Sequence, residues 1–117
     1  MSKKIVTLNK SWGHEKIIAN NESYCLKMLI AVRKFWSSKG LFHWHKIKDE
    51  TLFVIEGSLL LHILKGSKIE PIVLEKDCSY RIKPGVKHKF SALSDTCHII
   101  ELSNAYPEVD IYKEEPK

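Results

Sequence analysis

Arginine is nearly missing from this chain. Only Arg33 and Arg81 stand among 19 basic residues; the other seventeen are lysines scattered along 117 positions. Bidentate recognition of phosphate or guanine needs the guanidinium fork. The net charge of +5 therefore reads as a solvated basic surface, and the absence of a helix-turn-helix or RNP-type pattern argues further against a nucleic-acid partner. Cysteine is sparse and odd in number: Cys25, Cys78 and Cys97, with no C-x-x-C pair. That suits reduced thiols in a cytoplasmic protein better than a disulfide framework. No apolar run approaches the roughly 20 residues that cross a bilayer, and Met1 to Thr7 carries lysines without the apolar stretch of a signal peptide. Neither a helical period nor a repeat is found.

What remains is apolar content of 44% and charged content of 28%, enough for one hydrophobic core and a single domain over residues 1–117. Short strands bounded by turns fill it. Residues 1–12 are an N-terminal strand, Ile5 to Leu8, and its lead-in. A strand from Gly13 to Ala19 meets the hairpin turn Asn20-Asn21, and Ser23 to Val32 follows. Residues 33–40 are a polar-aromatic connection. Further strands are expected at Leu59–Leu64, Ile69–Leu74, Cys78–Ile82, His88–Leu93 and Cys97–Leu102, with Pro71 marking an edge or bulge. Residues 103–117 read as a polar tail returning over the surface. This pattern predicts an all-β antiparallel sandwich or barrel.

The chemistry concentrates between Gly40 and Gly57. His43 and His45 flank Trp44, so a strand sends both imidazoles to one face and the indole to the other. After the polar link Lys46-Ile47-Lys48-Asp49, Glu50 opens the strand Thr51-Leu52-Phe53-Val54-Ile55. Pairing these two strands as an antiparallel hairpin would return Glu50 to the histidines. Two imidazoles and a carboxylate are most of a divalent-metal site. A second segment, Pro84-Gly85-Val86-Lys87-His88, adds a tight turn and a histidine opening a strand.

Taken together, the two segments resemble the two-part signature of the cupins. Their first motif is H-x-H, three or four residues, E, six residues, G, met here by His43, His45, Glu50 and Gly57. Their second is P-G-x-x-H, met by Pro84, Gly85 and His88. The looser second-motif positions differ, with Lys76, Lys83 and Ala92 at sites usually glycine, proline and asparagine. The resemblance implies a double-stranded β-helix (jelly-roll barrel) whose interior holds one divalent ion on His43, His45, Glu50 and His88. The ligand set suits zinc, manganese, iron, nickel or copper alike.

A narrower resemblance spans nearly the whole chain. Trp12-Gly13-His14-Glu15-Lys16, Lys27, Ser37-Ser38, Ile100-Glu101-Leu102 and Glu108-Val109-Asp110-Ile111 look like the type II mannose-6-phosphate isomerase domains, with Lys113 where an arginine is usual. It implies an enzyme acting on a sugar phosphate, with Glu15, Lys27, Glu101 and His98 as candidates for the base or the phosphate contact. A metal-dependent dioxygenase on the same ligands, and a non-catalytic sugar- or effector-binding module, are the alternatives. Among the remaining histidines, His14, His62 and His98 are candidate cavity residues or solvated strand positions. Cys78 and Cys97 read as small buried hydrophobes. A homodimer is expected through Phe35, Trp36 and Phe53, which would cover edges and aromatics.

Overall fold

The computed structural model describes residues 2–114. Eleven strands are assigned in them: β1 (Val6–Lys10), β2 (Gly13–Asn20), β3 (Tyr24–Val32), β4 (Phe42–Trp44), β5 (Glu50–Glu56), β6 (Leu59–Lys65), β7 (Lys68–Leu74), β8 (Ser79–Ile82), β9 (Lys87–Ala92), β10 (Thr96–Asn104) and β11 (Tyr112–Glu114). One sheet runs β1-β2-β3-β10-β5-β8 and the other β11-β4-β9-β6-β7. All strand pairs are antiparallel, as expected for a jelly-roll. Pro71 lies on β7, an edge strand of the second sheet, where its missing N–H costs no ladder bond.

The two sheets face each other across alternating side chains. Leu52 and Val54 of β5, Leu59, Leu61 and Ile63 of β6, and Cys97 and Ile99 of β10 are buried inward. Toward one end of the sandwich the same inward rows become polar. Beyond Leu52 comes Glu50, beyond Ile99 comes Glu101, beyond Phe90 comes His88, and beyond Leu29 comes Lys27. The apolar end supplies the hydrophobic stabilisation, and the polar end becomes the floor of a site. Gly57 is confined to glycine twice over. Its φ is +86°, and a Cβ there would overlap Ser94 Oγ and the Thr96 carbonyl.

Because the core stands apart from the ligand cluster, chelation should leave the fold in place. Removing metal is expected to lower the melting temperature while far-UV circular dichroism stays β. Loss of the β signal would instead make metal binding part of the folding free energy.

Three expectations need correcting. The hairpin between the histidine strand and the Glu50 strand does not form. β4 belongs to the second sheet and β5 to the first, so residues 45–49 cross from one sheet to the other. The reason is local: the Asp110 carboxylate accepts the backbone N–H groups of Lys46, Ile47 and Lys48 at 2.8, 2.9 and 2.9 Å, leaving none for a ladder. The segment from Ser103 is not merely a surface return either, since β10 runs on to Asn104 and β11 pairs with β4, placing Lys113 opposite His43. Cys97 is buried as expected, but Cys78 is exposed, at the turn into β8.

Candidate metal centre and its cavity

β4 and β9 place His43 and His88 directly opposite one another, and His45 follows at the end of β4. Ligand atoms of all three imidazoles lie within 4.8 Å of one another, and all three residues are buried. Trp44 points the other way and stacks on Tyr112 with centroids 5.7 Å apart, as the strand period requires. Two of the rings are fixed by backbone carbonyls. His45 Nδ1 lies 2.6 Å from the Asp110 carbonyl and His88 Nδ1 lies 2.9 Å from that of Val86. A carbonyl only accepts, so each Nδ1 carries the proton and each Nε2 presents a lone pair. Burial and the neighbouring His88 push the His43 pKa well below the ordinary imidazole range. Burial lowers that of His45 too, against the opposing pull of the Asp110 carbonyl. Neutral imidazole is the form that binds a metal.

Glu50 completes the group. It is 3% exposed, with Oε1 3.4 Å from His88 Nε2 and Oε2 3.7 Å from His45 Nε2. Burial alone would raise its pKa, but His88, Lys48 and His45 together hold it well below the usual carboxylate range. Glu50 Oε2 and His88 Nε2 are buried without a hydrogen-bond partner. His88 Nε2 faces Glu50 Oε1 at 3.4 Å, while the Lys48 ammonium stands 3.0 Å from Oε2. Two buried acceptors as close as the first pair are costly unless a cation lies between them. The donor set therefore fits a divalent ion.

A cavity of about 620 Å³ opens over His43 and His45. An alternating series of charges crosses its floor. Lys10 Nζ lies 3.4 Å from Glu15, Lys27 Nζ lies 3.7 Å from Glu15 and 4.0 Å from Glu101, and Lys48 Nζ lies 2.9 Å from Glu101 and 3.0 Å from Glu50. Tyr106 seals one side. Its hydroxyl accepts from Lys27 at 2.9 Å, and its ring lies 4.6 Å from the Lys48 ammonium. Burial lowers the pKa of Lys48, but Glu101 and then Glu50 outweigh it and carry the ammonium well above its ordinary value.

The sequence matches the family described as "Cupin domain" over residues 37–102, more than half of the chain and including His43, His45, Glu50 and His88. This chain is a cupin. Among solved structures it is similar to oxalate decarboxylase from Bacillus subtilis, with a TM-score of 0.78, 14% identity, and coverage of 93% of this chain and 30% of that one. It is also similar to the capsular polysaccharide assembling protein CapF from Staphylococcus aureus (TM-score 0.81, 18% identity, 97% and 35% covered). KdgF from Halomonas sp. gives a TM-score of 0.69 at 19% identity, covering 82% of this chain and 81% of that one. The cupin spans about a third of the length of the first two. No curated protein sequence matches it.

Of the other residues singled out from the sequence, Glu15, Lys27 and Glu101 line the cavity of this cupin. His98 does not. On β10 the inward residues are Cys97, Ile99, Glu101 and Ser103, and the strand period sets His98 on the opposite face. His14, next to inward-facing Glu15 on β2, is outside for the same reason, and His62 packs against Trp36 with centroids 4.7 Å apart. Lys48, Tyr106 and the turn-capping role of Asp110 were missed. Lys48 carried one usable signal: it lies two residues before Glu50, at the spacing that repeats a face if the link is extended.

Proposed function

We propose that this cupin is a metal-dependent sugar-phosphate isomerase of the mannose-6-phosphate isomerase kind. One observation carries the reading. Trp12, Glu15, Lys27, Ser38, Glu101 and Glu108, scattered residues that look like that family, line the same cavity as His43 and His45, with Lys113 there where that family usually has an arginine. The volume suits a phosphorylated hexose. A divalent ion on His43, His45, His88 and Glu50 would supply Lewis-acid polarisation of the sugar carbonyl and its neighbouring hydroxyl.

The chain's own residues would do the rest. A carboxylate takes the proton from C2 and returns it to C1, while the hydroxyl proton of O2 passes to O1, so that aldose becomes ketose with no net change in protons. Glu101 is the better placed of Glu15 and Glu101, because it shares the Lys48 ammonium with Glu50. Lys27 and Lys48 offset negative charge beside it, and Lys10, Lys39 and Lys113 on the cavity wall would face the phosphate. The test is turnover of mannose 6-phosphate by metal-loaded protein in deuterium oxide. Ketose product carrying solvent deuterium at C1, with kcat at least about 100-fold lower in Glu101→Gln, is the expected result. No interconversion with zinc, manganese, iron, nickel or copper would overturn the reading, and oxygen consumption with iron would favour a dioxygenase.

The reading extends to a cytoplasmic homodimer. The three thiols are free. On the outer face of the first sheet Met28, Ile100 and Phe53 stand in one cross-strand row, each half-buried. Of the aromatics expected at an interface, Phe53 lies on this row, whereas Trp36 bridges to Ser91 near the second sheet. Wild-type protein should sediment as a dimer at micromolar concentration and Phe53→Lys as a folded monomer. A wild-type monomer would contradict this.

A further inference from the structure

Lys48 is the one lysine among the described residues that is fully buried, at 5% exposed, and it reaches the metal cluster from inside. Its ammonium lies 3.0 Å from Glu50 Oε2, the oxygen that also faces His45 Nε2 at 3.7 Å. The same ammonium donates to Glu101 Oε2 at 2.9 Å. Its backbone is anchored, because the Lys48 N–H donates to Asp110. The stem therefore starts from a fixed point and the head has two carboxylates within reach. A divalent ion held by the three imidazoles and Glu50 would draw on the carboxylate that Lys48 contacts, and two cations on one carboxylate repel.

We propose that Lys48 is an internal counter-cation that holds Glu50 in the absence of metal and yields it to an entering divalent ion, moving wholly onto Glu101. The inference rests on the metal-site reading and adds a regulation to it. Lys48 sets how tightly the site binds, and loading is transmitted to Glu101, one of the carboxylates facing the cavity. The network continues outward from there, since Lys27 stands 4.0 Å from Glu101 and donates to Tyr106. Occupancy of the metal site would thereby rearrange the wall against which a substrate rests.

The direction of the effect separates this role from a structural one. Damage to a site weakens binding, whereas removing a competing cation strengthens it. Titration of wild type, Lys48→Met, Lys48→Arg and Glu101→Gln with Co²⁺ against a chromogenic chelator should show Lys48→Met binding at least about 10-fold more tightly than wild type. Lys48→Arg, which keeps the charge, should not gain. Glu101→Gln should bind more weakly, because Lys48 then loses its other anion and settles on Glu50. Melting curves give a second readout. Lys48→Met leaves the buried Glu50 without its ammonium partner and Glu101 with Lys27 alone at 4.0 Å, so Co²⁺ should raise its melting temperature more than that of wild type. Equal or weaker binding by Lys48→Met, with wild type binding normally, overturns the role of Lys48 and leaves the metal site standing. Absence of Co²⁺ binding in every variant and in wild type overturns the metal site and this inference with it.

Discussion

Replacing Glu50 by glutamine should lower metal affinity steeply, by at least about 10-fold even if the lost interaction is no stronger than one outside the coordination sphere. The amide keeps the size and shape of the side chain but offers only a weak neutral oxygen, and nothing else in the ligand set carries negative charge. Glu50 is buried against His45, His88 and Lys48, so no solvent carboxylate substitutes for it. Glu56→Gln is the matched control. Glu56 sits at the far end of the same strand, exposed, with Lys76 at 3.4 Å, an ion pair worth little in solvent. Neither change removes a core hydrophobe, so both variants should fold. Equal metal occupancy in the two would remove Glu50 from the ligand set.

Asp110→Ala is expected to have the largest effect on stability, about 3 kcal/mol, from three charge-assisted hydrogen bonds lost together. The backbone N–H groups of Lys46, Ile47 and Lys48 would lose their acceptor, and the crossing between sheets would lose its shape. Metal binding should weaken as well, because the side-chain anchor on residues 46–48 holds the Asp110 backbone carbonyl against His45 Nδ1. Burial would raise the Asp110 pKa, but the three N–H donors outweigh it and hold it below the ordinary 3.8. A carboxylate depressed on folding stabilises fully above its unfolded value, and that contribution is lost as pH falls through the folded one. Wild type should therefore show a loss of stability below about pH 4 that Asp110→Asn lacks, measured by urea unfolding across that range. Parallel pH profiles would show that the carboxylate does not act as the cap.

Much of this was legible before any coordinates. Short turn-bounded strands announced an all-β sandwich or barrel, and motif spacing singled out His43, His45 and His88, which the fold brings together. What escaped depended on long-range contacts. The link Lys46-Ile47-Lys48-Asp49 looked like a hairpin connection because nothing local shows that a carboxylate some sixty residues later takes its N–H groups. Lys48 looked solvated for the same reason, since its partners Glu50 and Glu101 meet only when β5 and β10 pair. The Tyr106 region is polar and proline-bearing, which reads as surface, yet its ring covers the lysines of the cavity. His98 was misplaced by neglecting a parity that Glu101 had already set on the same strand.

The most direct test of the metal centre is elemental analysis, on protein purified without a nickel column, of wild type beside His43→Ala, His45→Ala and His88→Ala. One divalent ion per chain in wild type, lost from all three variants while their circular dichroism stays β, is the predicted result. Metal-free wild type that cannot be loaded, or variants that keep their metal, would contradict a centre built on these three histidines.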